Sequence, residues 1–279
     1  MTSFDGGKPK NRLWPLKKVL MGVLLTVAMV YLAFMAMAFF SSEGLMFLPH
    51  PSSYRDSPEI IKLSSANGAR ISAVYLQNPQ ARFALLVSHG NAEDLGDDRY
   101  WLEDLRRAGF SVLAFDYQGY GTSQGKPTEQ GAYEDENAAY DYLVKQLATP
   151  PERIIIYGRS VGSGPAVHIA ARRPVAGLIL QSPFLSAFRV LTRVPLLPFD
   201  RFPNARDIRN VHCPLLVIHG EADEVIPFRH GQKLFAISNQ PKQFVGFPGA
   251  GHNDLEIVAG AKYVEAIRTF AASLENTTH

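Results

Sequence analysis

Six short apolar runs punctuate the chain after residue 80: FALLVSHG (83–90), SVLAFDY (111–117), IIIYG (154–158), AGLILQS (176–182), PLLVIHG (214–220) and QFVGF (243–247). Their apolar residues are consecutive, not alternate, which is the pattern of a strand buried on both faces. Between them lie longer stretches with helical spacing, near 97–108, 129–146, 161–172, 228–238 and 255–274. Strands and helices in alternation predict a mainly parallel sheet flanked by helices. Ahead of them, EIIKLSSANGARISAVYL (59–76) holds two β-leaning runs around Asn67-Gly68, a favoured hairpin-turn dipeptide. The expected fold class is therefore α/β, with an antiparallel hairpin leading into a parallel sheet. The longest interruption, 184–213, carries Pro195, Pro198 and Pro203 and predicts short helices, not a separate lid domain.

One further apolar run is of another kind. Residues 19–40, VLMGVLLTVAMVYLAFMAMAFF, contain no charge. As a helix rising 1.5 Å per residue this run reaches about 33 Å, enough for a hydrocarbon core of roughly 30 Å. A buried core helix, apolar all round, would need a much larger protein around it. Five basic residues precede the run (Lys8, Lys10, Arg12, Lys17, Lys18), and no Lys or Arg follows until Arg55. That asymmetry predicts a cytoplasmic N-terminus and a domain on the opposite (periplasmic, luminal or extracellular) side. Ala36-Met37-Ala38 offers a small-x-small cleavage site, so a secreted enzyme released from a signal peptide near Phe39 is the alternative. The expected organisation is a basic segment (1–18), a transmembrane anchor (19–40), a linker (41–57) whose Leu45–Leu48 dock on the domain, and a globular domain (58–279).

Charge narrows the partners. Of 28 basic and 26 acidic residues, positions 1–18 hold five and one, which leaves the remainder slightly acidic. The globular part therefore offers no electrostatic case for nucleic acid. The single cysteine, Cys213, excludes an intramolecular disulfide and a cysteine-rich zinc site. No His-x-x-x-His pair or carboxylate cluster suggests a metal, and no cofactor is implied. DYQGYGTSQGKP (116–127) is rich in glycine but lacks a Gly-Lys-Ser/Thr ending and a following helix; it reads as a loop at the site rim, with Asp116 structural.

The candidate chemistry lies at the ends of the apolar runs. In open α/β sheets ligands bind beyond the carboxyl ends of the strands. Asn91 follows LLVSHG, Ser160 follows IIIYGR, Asp223 follows LLVIHGEA, and His252 follows FVGFPGAG. A nucleophile, an acid and a base thus fall on one edge. Ser160 sits in Gly158-Arg159-Ser160-Val161-Gly162, between a strand and a helix, where a sharp turn exposes the serine and larger flanking residues would crowd it. Serine becomes nucleophilic at neutral pH only when a base takes its proton. His252 is the candidate base and Asp223 its orienting carboxylate. The backbone N–H groups of Val161 and Asn91 are the candidate donors to a developing oxyanion. Pro165 predicts that the helix after Ser160 begins late or distorted.

Each residue also has a plainer reading. Ser160 as a helix N-cap would need no partners. Glu221 and Glu224 flank Asp223 and compete as the acid. His89 and His219 end strands and His168 and His230 lie in helices, where packing explains them; His252 alone stands in a late glycine-rich loop.

Taken together, SHGNAEDLG, DYQGYGTSQGKP, YGRSVGSGPA, FDRFPNARDI, VIHGEADEVIPFRHG and GAGHNDLE resemble the small lidless α/β hydrolases, above all the α/β-hydrolase-domain proteins that remove palmitoyl groups from membrane proteins. The resemblance runs from about residue 45 to the last helix. It implies a serine hydrolase with Ser160, His252 and Asp223 as the triad, acting on an acyl ester or thioester borne by a lipid or an acylated protein. Those depalmitoylases carry a cysteine-rich, lipidated N-terminus and act at the cytosolic face. This chain has no cysteine before Cys213, and its charge bias sends the domain across the membrane, which argues against cytosolic protein depalmitoylation. Amide hydrolysis of the serine-aminopeptidase kind, and a non-catalytic binding protein of the same fold, are the alternative readings.

Overall fold

The computed structural model of the chain describes residues 14–192 and 196–275. Lys8, Lys10, Arg12 and Pro195 lie outside the described residues. Eight strands form one sheet: β1 (Ile60–Ser64), β2 (Arg70–Leu76), β3 (Ala84–Ser88), β4 (Ser111–Phe115), β5 (Ile154–Arg159), β6 (Gly177–Gln181), β7 (Leu215–Gly220) and β8 (Lys242–Phe247), in the spatial order β1-β2-β4-β3-β5-β6-β7-β8. β1–β2 and β2–β4 pair antiparallel, and all pairings from β4 to β8 are parallel. The helices are α1 (Trp14–Met46), α2 (Arg99–Arg107), α3 (Glu129–Asp141), α4 (Ser163–Ala170), α5 (Ala187–Leu191), α6 (Asn204–Asp207), α7 (Arg229–Ile237), α8 (Leu255–Ala259) and α9 (Ala261–Glu275).

The consecutive apolar residues of the central strands divide by the two-residue period of a strand. Leu86, Ile156 and Val217 face a core layer that α3, α4 and α7 cover through Ala139, Val167 and Leu234. Leu85, Ile155 and Leu216 face the other layer, closed by Leu102 and Leu105 of α2 and by Ile267 and Phe270 of α9. Each fully buried side chain of this size contributes roughly 1.5–3 kcal/mol. The sheet is held from both faces, and its carboxyl edge is a rigid platform.

Three expected elements differ in detail. The stretch 129–146 is helical throughout, but α3 gives way at Tyr142–Gln146 to a wider π-type turn. The stretch 255–274 breaks at Gly260, whose φ of 53° ends α8 before α9 begins. The apolar N-terminal helix continues through the SSEG residues to Met46, well past residue 40. Lys17–Met46 is long and apolar enough to cross a hydrocarbon core. Among the described residues, those up to Ser42 form one unit and those from Glu43 onward another. In the second, Leu45 and Leu48 are exposed; the side chain that docks is Phe47, buried against Tyr117, Tyr120 and Phe202. A Phe at that position packs edge-on to three rings, which the leucines beside it cannot reach from the same turn.

The strand order places the crevice. The chain leaves β3 toward β4 on one side, and leaves β5 toward β6 on the other, so β3 and β5 are neighbours whose connections diverge. A crevice opens beyond the carboxyl ends of two such strands. Asn91 follows β3 and Ser160 follows β5.

Candidate active site

The turn after β5 is bent by Ser160 itself, which holds a φ of +52°. A non-glycine residue is rarely left-handed, and the strain is of the kind stored at functional sites. Ala92 after β3 (φ +56°) and Ser182 after β6 (φ +47°) share it on the same edge. The flanking glycines serve close approach. A Cβ on Gly158 would stand 2.5 Å from the carbonyl oxygen of Gly162, and one on Gly162 would run into the carbonyl oxygens of Ser88 and His89. A single 3₁₀ turn (Ser160–Gly162) precedes α4, so the regular helix starts late, at Ser163, and Pro165 falls in its first turn, where a missing N–H costs nothing.

Ser160, His252 and Asp223 form one hydrogen-bonded chain. His252 Nε2 lies 2.9 Å from Ser160 Oγ, and His252 Nδ1 lies 2.8 Å from Asp223 Oδ2. An ionised carboxylate only accepts, so Nδ1 carries the proton and Nε2 is free to accept one from the hydroxyl. Asp223 sits where its short side chain folds back on its own loop: Oδ1 accepts the N–H groups of Val225 (3.0 Å) and Ile226 (2.7 Å). Burial pushes the carboxyl up, but the bonds from His219, His252 and Ile226 outweigh it and hold it well below the usual range. The competing acids Glu221 and Glu224 are exposed. In the His252 loop, Asp254 accepts the N–H of Gly251 at 2.6 Å.

The other histidines take different places. His168 stacks on Tyr133 at 3.7 Å between ring centroids. His230 accepts the N–H of Leu185. His89 is buried with Nδ1 2.7 Å from the Gly90 carbonyl oxygen, and burial pushes its pKa down to about 4. His219 does more than its strand-end position suggests. Its Nε2 lies 2.9 Å from the Ile226 carbonyl oxygen and 3.3 Å from Asp223 Oδ2, so it is a second imidazole on the same carboxylate. The signal available in sequence was its spacing, four residues before Asp223.

Val161 opens a helical turn, where the first N–H groups have no intrahelical acceptor. The Asn91 N–H makes no hydrogen bond among the described residues. The Asn91 side chain instead fixes its loop: Oδ1 accepts from the Tyr120 hydroxyl (2.6 Å), the Leu48 N–H (2.9 Å) and the Ala92 N–H (3.0 Å). The 116–127 loop thus reaches the site through Tyr120. Its Asp116 is buried, accepts from Tyr54 and from the Leu95 N–H, and is pushed by burial up to about 7.

A charged cluster that the sequence did not announce braces these two loops. Glu93 accepts the Gly90 N–H at 2.9 Å through one oxygen and meets Arg159 at 3.2 Å through the other. Arg159 also faces Asp98 (3.5 Å) and Glu256 (3.8 Å), and its guanidinium lies over the Trp101 ring. Burial raises the Glu93 and Asp98 carboxyls, against the pull of Arg159. Glu256 in turn accepts from Gln181, which binds the Tyr157 and Tyr263 hydroxyls. His50, Asp94 and Asp97 gather elsewhere with metal-compatible donors, but Asp94 is already engaged by Ser53 and by the N–H groups of Gly96 and Asp97.

Residues 79–198 match the family described as serine aminopeptidase, S33. The human α/β hydrolase domain-containing protein 17B is 38% identical over 227 residues, covering 80% of this chain and 78% of that protein. An uncharacterised Mycobacterium tuberculosis protein is 37% identical over 240 residues, covering 83% and 85%. Among solved structures, a Pyrococcus furiosus esterase superposes with a TM-score of 0.69 at 18% identity, over 81% of this chain and 98% of its own, a likeness of fold. The chain is an α/β hydrolase and belongs to the family of α/β hydrolase domain-containing proteins.

Proposed function

We propose that the protein is a membrane-anchored serine hydrolase that cleaves acyl esters or thioesters through an acyl-enzyme. The observation that carries this reading is the unbroken hydrogen-bonded chain from Ser160 Oγ through His252 to Asp223, with the serine on a strained, left-handed turn. Ser160 attacks the acyl carbonyl carbon while His252 Nε2 takes its proton. The negative charge that develops on the carbonyl oxygen is met by the N–H groups of Val161 and Asn91. His252 then gives the proton to the departing alcohol or thiol, and a water molecule, deprotonated by the same nitrogen, releases the acid. Asp223 holds the imidazole in the tautomer each step requires, and its four hydrogen-bonding contacts keep it ionised.

The anchor is the uncharged run 19–40 of α1, and the charge asymmetry around it supports a cytoplasmic N-terminus with the domain on the other side. Among the described residues the β6–β7 connection carries only the short helices α5 and α6 and a 3₁₀ turn at Ile208–Asn210, which suits an acyl group presented by a lipid or an acylated protein at a membrane surface. A second reading, amide hydrolysis, is favoured by the match of residues 79–198 to the serine aminopeptidases. A fluorophosphonate probe tests the proposal: the full chain in detergent should label and Ser160→Ala should not. Absence of labelling of the folded wild type favours the non-catalytic reading. Acyl esters, thioesters and aminoacyl amides of graded length, assayed side by side, then separate the substrate classes.

A further inference from the structure

A cavity of about 270 Å³ is lined, among the described residues, by Leu185, Arg189, Thr192, Arg229, His230 and Lys233. Four of its six lining residues are basic. It sits between the segment after β6, which carries Arg189 on α5, and the first turn of α7, which follows β7. Both segments leave the sheet at the edge that holds Ser160 and Asp223.

Three features give the cavity its chemistry. First, the side chains of Arg189, Arg229 and Lys233 make no ion pair with any described residue; Arg189 is half-buried, and Arg229 and Lys233 are exposed at the rim. Unpaired like charges gathered round one hollow repel one another and are relieved by a bound anion. Second, the polarity of His230 is set. Its Nδ1 accepts the Leu185 N–H at 3.3 Å, so the ring proton is on Nε2, a neutral donor among three cations. Burial above all, and then the charges of Arg229, His219, Lys233 and Arg189, push the His230 pKa down to about 4. Third, α7 begins at Arg229, and a helix N-terminus adds a partial positive charge.

We infer that this cavity binds a phosphate or phosphate-ester group of the acyl substrate, an inference that rests on the hydrolase reading above. One guanidinium satisfies a carboxylate; two guanidiniums, an ammonium and an imidazole N–H converging from two elements match a tetrahedral, doubly charged group. The volume lies at the lower bound of small-molecule sites, which fits a headgroup and excludes a whole acyl chain. The cavity lies toward the Asp223 end of the triad: His230 lines it, the first turns of α7 pack on His219, and His219 Nε2 is 3.3 Å from Asp223 Oδ2. A phosphate held there sets the non-acyl part of the substrate beside the triad. Its source is either the headgroup of an anionic lipid or a soluble phosphate ester.

The test has a binding arm and a kinetic arm, both on the full chain in neutral detergent. In the first, Ser160→Ala protein is titrated calorimetrically with glycerol phosphate and with phosphatidate in mixed micelles. Saturable binding that weakens about tenfold or more in Arg229→Gln/Lys233→Gln supports the site, and the tighter of the two ligands identifies its source. No saturable binding to either, or binding that the double substitution leaves unchanged, overturns it. In the second, a neutral acyl ester and an acyl glycerol phosphate of equal chain length are compared. The wild type should prefer the phosphate ester in kcat/KM, and the double variant should lose about tenfold on that substrate alone. Equal loss on both substrates also overturns the site. Failure of the hydrolase reading would appear differently: binding intact, and neither ester cleaved.

Discussion

Gly162→Ala is the substitution whose consequence the structure states most sharply. Gly162 has an ordinary φ of −62°, so alanine suits its backbone and no conformational penalty attaches. The difficulty is room. The added methyl would overlap the carbonyl oxygens of Ser88 and His89, and both are main chain at the end of β3, unable to rotate aside. Relief requires the β3 end and the turn after β5 to move apart. Overpacking of a rigid site costs about 1–3 kcal/mol. The same movement parts Asn91 from Ser160, and a misplacement of about 1 Å between reacting groups lowers a rate on the order of 100-fold. The expected outcome is a fluorophosphonate labelling rate about 100-fold slower, with thermal stability reduced by about 1–3 kcal/mol. Gly68→Ala serves as the control. It lies in the β1–β2 turn at φ +87° with nothing within 4 Å, so it should cost about 1 kcal/mol of stability and leave labelling unchanged. Wild-type labelling and stability in Gly162→Ala would refute the close approach of the two loops.

Other outcomes follow from the same geometry. Glu93→Gln weakens the brace between the Gly90 N–H and Arg159; kcat with an ester should fall about tenfold with KM little changed, and a raised KM with kcat unchanged would point to lost substrate binding instead. His219→Phe leaves Asp223 one donor short while keeping a ring in place, so kcat/KM should drop several-fold and the acidic limb of its pH profile should move upward. Phe47→Ala empties a site among three aromatic rings and should destabilise the domain by about 3 kcal/mol, read by thermal unfolding. His89 is neutral in the fold, with a pKa lowered to about 4, and takes up a proton near 6.5 once unfolded. Its contribution is therefore present above about 6.5 and lost as pH falls toward 4, on the order of 3 kcal/mol; His89→Phe should flatten that slope.

The parts that the sequence made legible are those governed by local pattern. Central strands buried on both faces write continuous apolar runs, so β3 to β7 were readable within a residue or two, as was the half-buried edge strand β8, and Asn67-Gly68 marked the hairpin. Ser160, Asp223 and His252 were readable because each ends or follows a strand of one parallel sheet, which brings positions distant in sequence to one edge. Asp223 was preferred over Glu221 and Glu224 on residue type and register, and in three dimensions its shorter side chain reaches the N–H groups of its own loop. Glu93, Arg159 and Glu256 were illegible for the opposite reason. Each looks like an ordinary surface charge in its own segment, and only the packing of α8 and the β3 loop against the turn after β5 brings them together. The basic cavity escaped for the same reason, its cations being split between α5 and α7.

The central claim is that Ser160 carries the acyl group during turnover. The full chain is mixed with an ester of a slowly hydrolysed acid, quenched in acid during the first turnover, digested and analysed by mass spectrometry. The acyl mass should appear on the peptide that contains Ser160, and it should be absent in Ser160→Ala and in His252→Ala at the same time point. An acyl mass on another residue, or hydrolysis that continues undiminished in Ser160→Ala, would contradict the account.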